Sequence, residues 1–253
     1  AQHVPPIHRA RDAAGNLYRT PDHGDCRYAA GGRLAEAYGA TYTHDLAGRL
    51  TSIEHPDGTR TALAWNGDGS LRALERPDGT RLDFTYDALG RRVKKDVVAR
   101  DTETGDERRA CIRFVWDGDV LLHEVPEDGE PITWVHEPDR FAPLARIDAA
   151  GVEHLLTDYL GVPCEGLDER GALVWQMRLD AYGEAHVDGD AARCPWRWPG
   201  QYHDEETGLS YNRFRYYAPG EGAFLSPDPL GLLGGLHPYA YPDNPLWWID
   251  PLG

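Results

Sequence analysis

The chain has 253 residues and a formal net charge of −16, with eight Trp, thirteen Tyr, 28 Gly and 19 Pro. The acidic balance disfavours nucleic acid as a partner, because phosphate backbones repel it, and no apolar run approaches the ~20 residues of a membrane-spanning helix. The four Cys are scattered without a C-x-x-C pair, so we expect no metal or cofactor, and the abundant Gly, Pro and aromatic residues predict an all-β fold.

The first half of the chain contains a repeat with a period of 21 residues. PDGTR occurs at 56–60 and again at 77–81, and before, between and after these copies an aromatic residue or His is followed by Asp or Asn and then by Gly. Asp or Asn can cap a turn, Gly supplies a positive φ, and Pro-Asp-Gly makes the next tight turn. The pattern therefore predicts a string of β-hairpins. Its units, including a degenerate first copy and a weaker last one, begin at Tyr28, His44, Trp65, Tyr86 and Trp116.

Hydrophobic residues alternate between these turns, as at Leu63 and Trp65 and again at Leu82 and Phe84. This alternation predicts strands with one buried face. A single hairpin cannot bury that face alone, so neighbouring hairpins should stack into one continuous sheet. A propeller is the alternative, but 21 residues make only about half of a four-stranded blade, which favours an open spiralling sheet.

The second half is rich in aromatic residues and turns. Residues 154–185 predict two more hairpins, one of them turning at Asp168–Gly171. HDEE from His203 indicates a solvated turn, and Trp247 and Trp248 are predicted to be anchors in a packed interior. The remaining aromatic residues indicate further strands. These residues are Tyr211, Phe214, Tyr216 and Tyr217.

The repeated unit resembles the YD repeat of Rhs proteins, which also occurs in teneurins and in the C component of bacterial toxin complexes. YDALGR at 86–91 is its best instance, and residues 198–253 are similar nearly throughout to the end of the Rhs core. The resemblance implies a spiralling sheet that forms part of a hollow shell, with the C-terminal block turned inward as a plug. We expect a YD-repeat wall at residues 1–153 and a C-terminal region with the plug and an autoprotease segment at 154–253.

The tetrapeptide DPLG occurs twice, at 228–231 and at 250–253. Asp-Pro-x-Gly is a good β-turn, so each Asp taken alone is most often a turn former. The pair indicates more, because two carboxylates held close together can activate water at an amide carbonyl, one as base and the other as acid.

The family resemblance gives this pair a role. Rhs cores carry a P-x-x-x-x-D-P-x-G-L motif at which an aspartyl self-cleavage after the Leu frees the C-terminal toxin. The resemblance therefore implies that Asp228 and Asp250 are catalytic, and Arg213 and Arg215 are candidates for an assisting basic residue. The chain stops before the Leu and its only Met is Met177, so we expect a piece of a longer protein. The residues that match the motif are Pro245, Asp250, Pro251 and Gly253.

Two functions stay open. The first is a shell that encloses a toxin and releases it as a single-turnover aspartyl autoprotease. The second is a structural or adhesive YD-repeat shell in which the aspartates only make turns; a carbohydrate-binding β-protein is a third, weaker alternative. The resemblance implies as partners the upstream core, the cleaved toxin, and a secretion spike protein or a further copy of the chain. It also implies synthesis in a bacterial cytoplasm and export by a contact-dependent system, such as type VI secretion.

Overall fold

The computed structural model describes residues 8–100, 104–190 and 193–253, and within these ranges it contains β-strands but no α-helix. A short hairpin of β1 (Ala10–Arg11) and β2 (Leu17–Tyr18) precedes one antiparallel sheet of sixteen strands. Each inner strand of this large sheet pairs with the strands before and after it in the chain. The all-β prediction is confirmed. The strands of the large sheet are β3 (Cys26–Ala29), β4 (Arg33–Ala37), β5 (Ala40–His44), β6 (Leu50–Glu54), β7 (Arg60–Trp65), β8 (Leu71–Glu75), β9 (Arg81–Tyr86), β10 (Arg92–Arg100), β11 (Glu107–Asp117), β12 (Val120–Pro126), β13 (Ile132–His136), β14 (Pro143–Asp148), β15 (Gly151–Thr157), β16 (Pro163–Leu167), β17 (Leu173–Leu179) and β18 (Ala185–Asp188).

A tight turn of one geometry closes the three central repeats, those that begin at His44, Trp65 and Tyr86. The N–H of the unit's Asp or Asn donates to the carbonyl four residues further on, and the N–H of the Gly donates back to the Asp or Asn carbonyl. Gly48, Gly69 and Gly90 have φ values of 84°, 92° and 74°, in the left-handed region that glycine enters without steric cost. The predicted hairpin period is confirmed.

The aromatic residues of two central units bond back to the unit before. Trp65 Nε1 donates to the carbonyl of Leu50 at 2.7 Å, and the Tyr86 hydroxyl donates to that of Leu71 at 2.8 Å, each fifteen residues earlier. A register shift falls between Ala64 and Trp65. Because such bulges bend a strand and increase its twist, the repeat itself curves the sheet.

The C-terminal block forms a second, four-stranded sheet that packs against the large one. Its strands are β19 (Tyr202–Asp204), β20 (Leu209–Asn212), β21 (Arg215–Ala218) and β22 (Ala223–Phe224). Buried residues of both sheets share two hydrophobic clusters, which agrees with the expected inward plug. Phe214 differs from the expectation for the aromatic residues, because it lies at an exposed hairpin tip. The first cluster joins Leu50, Leu63, Leu71, Leu74, Leu82 and Phe84 to Tyr211, Tyr216, Ala218 and Leu225.

The large sheet continues without a break past residue 153, which lies inside β15, and reaches β18. The second sheet begins only at Tyr202. The division at 153 and 154 therefore stays a prediction, while the expected turn at Asp168–Gly171 is present between β16 and β17. In the part of the chain that the structure describes, no helix has the length and apolar character needed to cross a bilayer.

Three partly buried histidines make stability depend on pH. Burial lowers the pKa of His44, His136 and His203 from 6.5 to about 4. Between these values the unfolded chain binds protons that the folded chain does not. The contribution of these histidines to the free energy of unfolding should therefore be fully present above about pH 6.5 and be lost as the pH drops towards 4.

Urea unfolding measured at steps from pH 7.5 to 4.5 checks this dependence. The His136→Phe variant is a useful control, because it removes one titrating group and retains a ring against Trp196, whose centroid lies 5.1 Å from that of His136. Its pH dependence should be shallower than that of the wild type. A free energy of unfolding that stays constant over this range would contradict the prediction.

Candidate aspartyl site

The two DPLG turns meet at one arginine. Arg215, the first residue of β21, places Nη2 3.3 Å from Asp228 Oδ2 and 3.0 Å from Asp250 Oδ2. Because both oxygens contact the same nitrogen, their separation cannot exceed the sum of these two distances. The structure thus brings together both predicted aspartates and one of the two candidate arginines.

Arg215 is a buried cation between two partly exposed carboxylates. Its side chain is 2% exposed, against 14% for Asp228 and 27% for Asp250. Burial lowers the pKa of Arg215, and the two carboxylates act in the opposite direction. A guanidinium nevertheless keeps its proton in proteins. Arg215 therefore places one buried positive charge against both carboxylates.

The position of Arg215 is fixed by its other contacts. Nη1 donates to the carbonyl of Pro238 at 3.1 Å, and the guanidinium carbon lies 3.6 Å from the ring centroid of Phe224. A stacked, hydrogen-bonded guanidinium has little freedom to move. Its Nη2 is therefore held towards the two aspartates.

The two DPLG turns are closed in different ways. In the first, the Gly231 N–H donates to the main-chain carbonyl of Asp228 at 2.9 Å, as in an ordinary β-turn. In the second, the Gly253 N–H donates to the side-chain Oδ1 of Asp250 at 2.9 Å. The carbonyl of Asp250 accepts instead from Asn212 Nδ2, also at 2.9 Å. The second turn is thus held by the neighbouring hairpin.

Glycines line the site at close range. A Cβ on Gly253, whose φ is 78°, would lie 2.3 Å from the main-chain oxygen at the end of β20, which explains the glycine of the motif. A Cβ on Gly200 would lie 2.2 Å from the carbonyl oxygen of Pro251, and one on Gly234 would lie 2.2 Å from Asp228 Oδ2. The roles of Gly200 and Gly234 were not predicted from the sequence, because neither belongs to the motif.

The other candidate arginine, Arg213, does not contact the aspartates in this structure. It has the left-handed φ of 54°, its Nε donates to Asp119 Oδ1 at 2.8 Å, and its Nη2 donates to the carbonyl of Leu89 at 2.8 Å. These contacts tie the hairpin tip to two loops of the wall. Pro245 of the motif is buried, and the residues that follow it, 246–248, are exposed.

Sequence reasoning missed a buried ionic cluster that joins the two sheets. Asp204, at 0% exposed, pairs with Arg92 through both carboxylate oxygens and with Lys95 Nζ at 3.0 Å. Lys95 also contacts Glu206 at 2.8 Å. The predicted solvated turn at HDEE is therefore wrong for Asp204. The signal that could have found it is Tyr202, because residues two apart in a strand share a face.

The prediction that Trp247 and Trp248 anchor a packed interior is also wrong. They are 71% and 69% exposed. The main-chain N–H groups of both tryptophans donate to the carbonyl of Asn244 at 3.0 Å, so the two residues lie on a tight turn. The Trp247 ring makes one tilted contact with Tyr159, at a centroid distance of 6.3 Å.

Comparison with known proteins agrees with this fold. A family profile described as Teneurin YD-shell matches residues 11–233. Toxin protein Tse5 of Pseudomonas aeruginosa is 39% identical over 262 residues, which is 88% of this chain and 19% of the relative. Double-stranded DNA deaminase toxin A of Burkholderia cenocepacia is 34% identical over 270 residues, which is 96% of this chain and 19% of the relative. The chain thus spans about a fifth of the length of these two relatives.

A solved structure shows the same architecture. The crystal structure of TcdB2-TccC3-TEV matches with a TM-score of 0.61 and 20% identity, over 84% of this chain and 13% of that chain. The fold and the repeats define a YD-repeat shell protein of the Rhs type. Since the family profile covers most of its length, the chain belongs to the Teneurin YD-shell family.

Proposed function

We propose that this chain is part of a shell that encloses a toxic C-terminal domain and frees it by cutting its own backbone. The cut would follow the leucine of the P-x-x-x-x-D-P-x-G-L motif, one residue beyond Gly253 in a longer polypeptide. The observation that carries the proposal is the contact of Arg215 with both Asp228 and Asp250. Asp250 belongs to the turn that leads to this bond.

The chemistry needs only water and the two carboxylates. One carboxylate takes a proton from water while the water oxygen bonds to the amide carbon. The other, in its protonated form, gives its proton to the amide nitrogen as the carbon–nitrogen bond breaks, leaving a carboxyl and an amino terminus. The buried cation of Arg215 would stabilise negative charge that develops beside the two carboxylates.

The enclosed cargo is supported by the relatives, two of which are named as toxins. We infer that the upstream core completes the wall and that the released domain stays inside until delivery. A secretion spike protein or a further copy of the chain would be a further partner, with export from a bacterial cytoplasm. In this proposal residues 1–153 belong to the wall, and residues 154–253 include the plug and the autoprotease segment.

A structural shell without catalysis is the second candidate. One observation favours it: Asp228 Oδ1 accepts the Leu230 N–H at 2.7 Å, as Asp87 Oδ1 accepts the Leu89 N–H at 2.9 Å in a repeat turn. On this alternative both aspartates only shape turns.

A precursor that contains this chain and continues well beyond residue 253 tests the proposal. After expression and folding, the proposal predicts two fragments, of which the N-terminal one ends one residue past Gly253 by intact mass. Purification with inhibitors of host proteases is the control. A folded precursor that retains its full mass would support the structural alternative instead.

A further inference from the structure

Asn212, the last residue of β20, contacts the segment that leads to the proposed cut. Its Nδ2 donates to the carbonyl of Asp250 at 2.9 Å. Two residues along the hairpin, the N–H of Phe214 donates to the carbonyl of Leu252 at 3.0 Å. The end of the β20–β21 hairpin therefore holds alternate carbonyls of the final turn, as a neighbouring strand would.

We infer that Asn212 is a positioning residue for the self-cleavage: with the Phe214 N–H it fixes the main chain from Asp250 to Gly253. This inference rests on the proposed function. The hydrogen bond matters because the Asp250 carbonyl does not close its own turn, since the Asp250 side chain accepts the Gly253 N–H instead. Asn212 thus supplies the main-chain restraint that an ordinary β-turn would provide.

Packing alone does not account for an amide at this position. Asn212 is 0% exposed, and within the described residues its Oδ1 has no hydrogen-bond partner. Burying a polar atom without a partner is costly, so an apolar residue would suit a site that needed only to be filled. The hydrogen bond from Nδ2 to Asp250 is what the amide contributes.

The large sheet also fixes the Phe214 N–H, the second group that holds the final turn. Arg213 precedes Phe214 and has a φ of 54°, a conformation that is unfavourable for a residue with a Cβ. Asp119 and the carbonyl of Leu89 hold its side chain there, each at 2.8 Å. The direction of the Phe214 N–H is therefore set by the large sheet. The cleavage segment is thereby aligned by the wall as well as by its own turn.

The test uses the precursor that continues beyond residue 253. Asn212→Ala and Asn212→Asp should slow self-cleavage by about 10-fold to 100-fold, because misplacement of reacting groups has effects of this size. Ser210→Ala is the matched control, since Ser210 is also 0% exposed on β20 and its Oγ lies 3.4 Å from His203 Nδ1 rather than against the turn. This control should cut at the wild-type rate.

A pH profile separates positioning from a loss of structure. The carboxyl group of Asn212→Asp gains an O–H donor when it is protonated, so its rate divided by the wild-type rate should rise as the pH falls. Hydrogen exchange at the Phe214 N–H provides a measurement independent of cleavage: it should accelerate in Asn212→Ala and not in Ser210→Ala.

The outcomes distinguish a failure of the positioning role from a failure of the proposed self-cleavage. If the Asn212→Ala and Asn212→Asp precursors cut themselves as fast as the wild type, the positioning role is overturned and the proposed function is left intact. A wild-type precursor that stays whole overturns both. Slow cleavage in Asn212→Asp with a ratio to wild type that does not change with pH also overturns the positioning role, because a general loss of structure would account for it.

Discussion

Replacing Asp228 or Asp250 by Asn is expected to leave the extended precursor uncut while the wild type is cleaved completely. Proton transfer by a positioned side chain contributes about 100-fold to 10,000-fold in rate, and an amide cannot take over that transfer. The amide oxygen can still accept the N–H of Leu230 or of Gly253, so both turns should persist. Fragment yield against time, with intact mass of the products, measures the effect.

A turn-forming aspartate elsewhere provides the control for this prediction. Asp168 Oδ1 accepts the N–H groups of Arg170 and Ala172 at 2.8 Å in an exposed turn. Asp168→Asn should therefore cut at the wild-type rate. If the Asp228 and Asp250 variants are cleaved as fast as this control, the catalytic role of these two aspartates is wrong.

Asp204→Asn is expected to lower the free energy of unfolding by about 3–5 kcal/mol, the usual effect of removing one partner of a buried ion pair. The change leaves Arg92, at 1% exposed, without its counterion and weakens the pairing of Lys95, at 3% exposed. Because Asp204 lies on β19 and both cations lie on β10, loss of this ion pair should weaken the packing of the C-terminal sheet against the large sheet. Urea unfolding at pH 7 measures the change.

An exposed ion pair is the matched comparison. Arg81 and Asp83 are 49% and 41% exposed, so Asp83→Asn should change the free energy of unfolding by about 1 kcal/mol or less. An Asp204→Asn variant that loses no more stability than Asp83→Asn would contradict the importance of the buried cluster.

The pH dependence of the cluster has a definite sign. Burial alone would raise the pKa of Asp204, but Arg92 and Lys95 hold it below its ordinary value of 3.8. The stabilisation by Asp204 is therefore fully present above about pH 3.8 and is lost as the pH falls through the lowered pKa of the folded state. The wild type and Asp204→Asn should become similar in stability only under strongly acidic conditions.

Much of the fold was predictable because its turns are locally encoded. Gly48, Gly69 and Gly90 recur at one period, and each has the positive φ that the turn requires. The alternation at Leu82 and Phe84 likewise predicted a buried strand face, and these residues are 0% and 5% exposed. Local signals of this kind need no knowledge of distant contacts.

The site was predictable only in part. The repeated DPLG pointed to Asp228 and Asp250, but the choice between Arg213 and Arg215 could not be made from the sequence. Strand alternation would place both side chains on one face. The left-handed φ of Arg213 ends that alternation at the hairpin tip, so Arg215 alone turns towards the aspartates.

The hairpin repeat, the all-β class and the pair of DPLG turns can be read from the amino-acid sequence, because each depends on residues close together in the chain. The burial of Asp204 against Arg92, a pairing across 112 residues, and the exposure of Trp247 follow from no local pattern and are visible only in the folded chain. Burial and charge pairing depend on which surfaces meet when the block packs on the wall. The same packing places Arg215 between two aspartates whose separate turns do not specify a common partner.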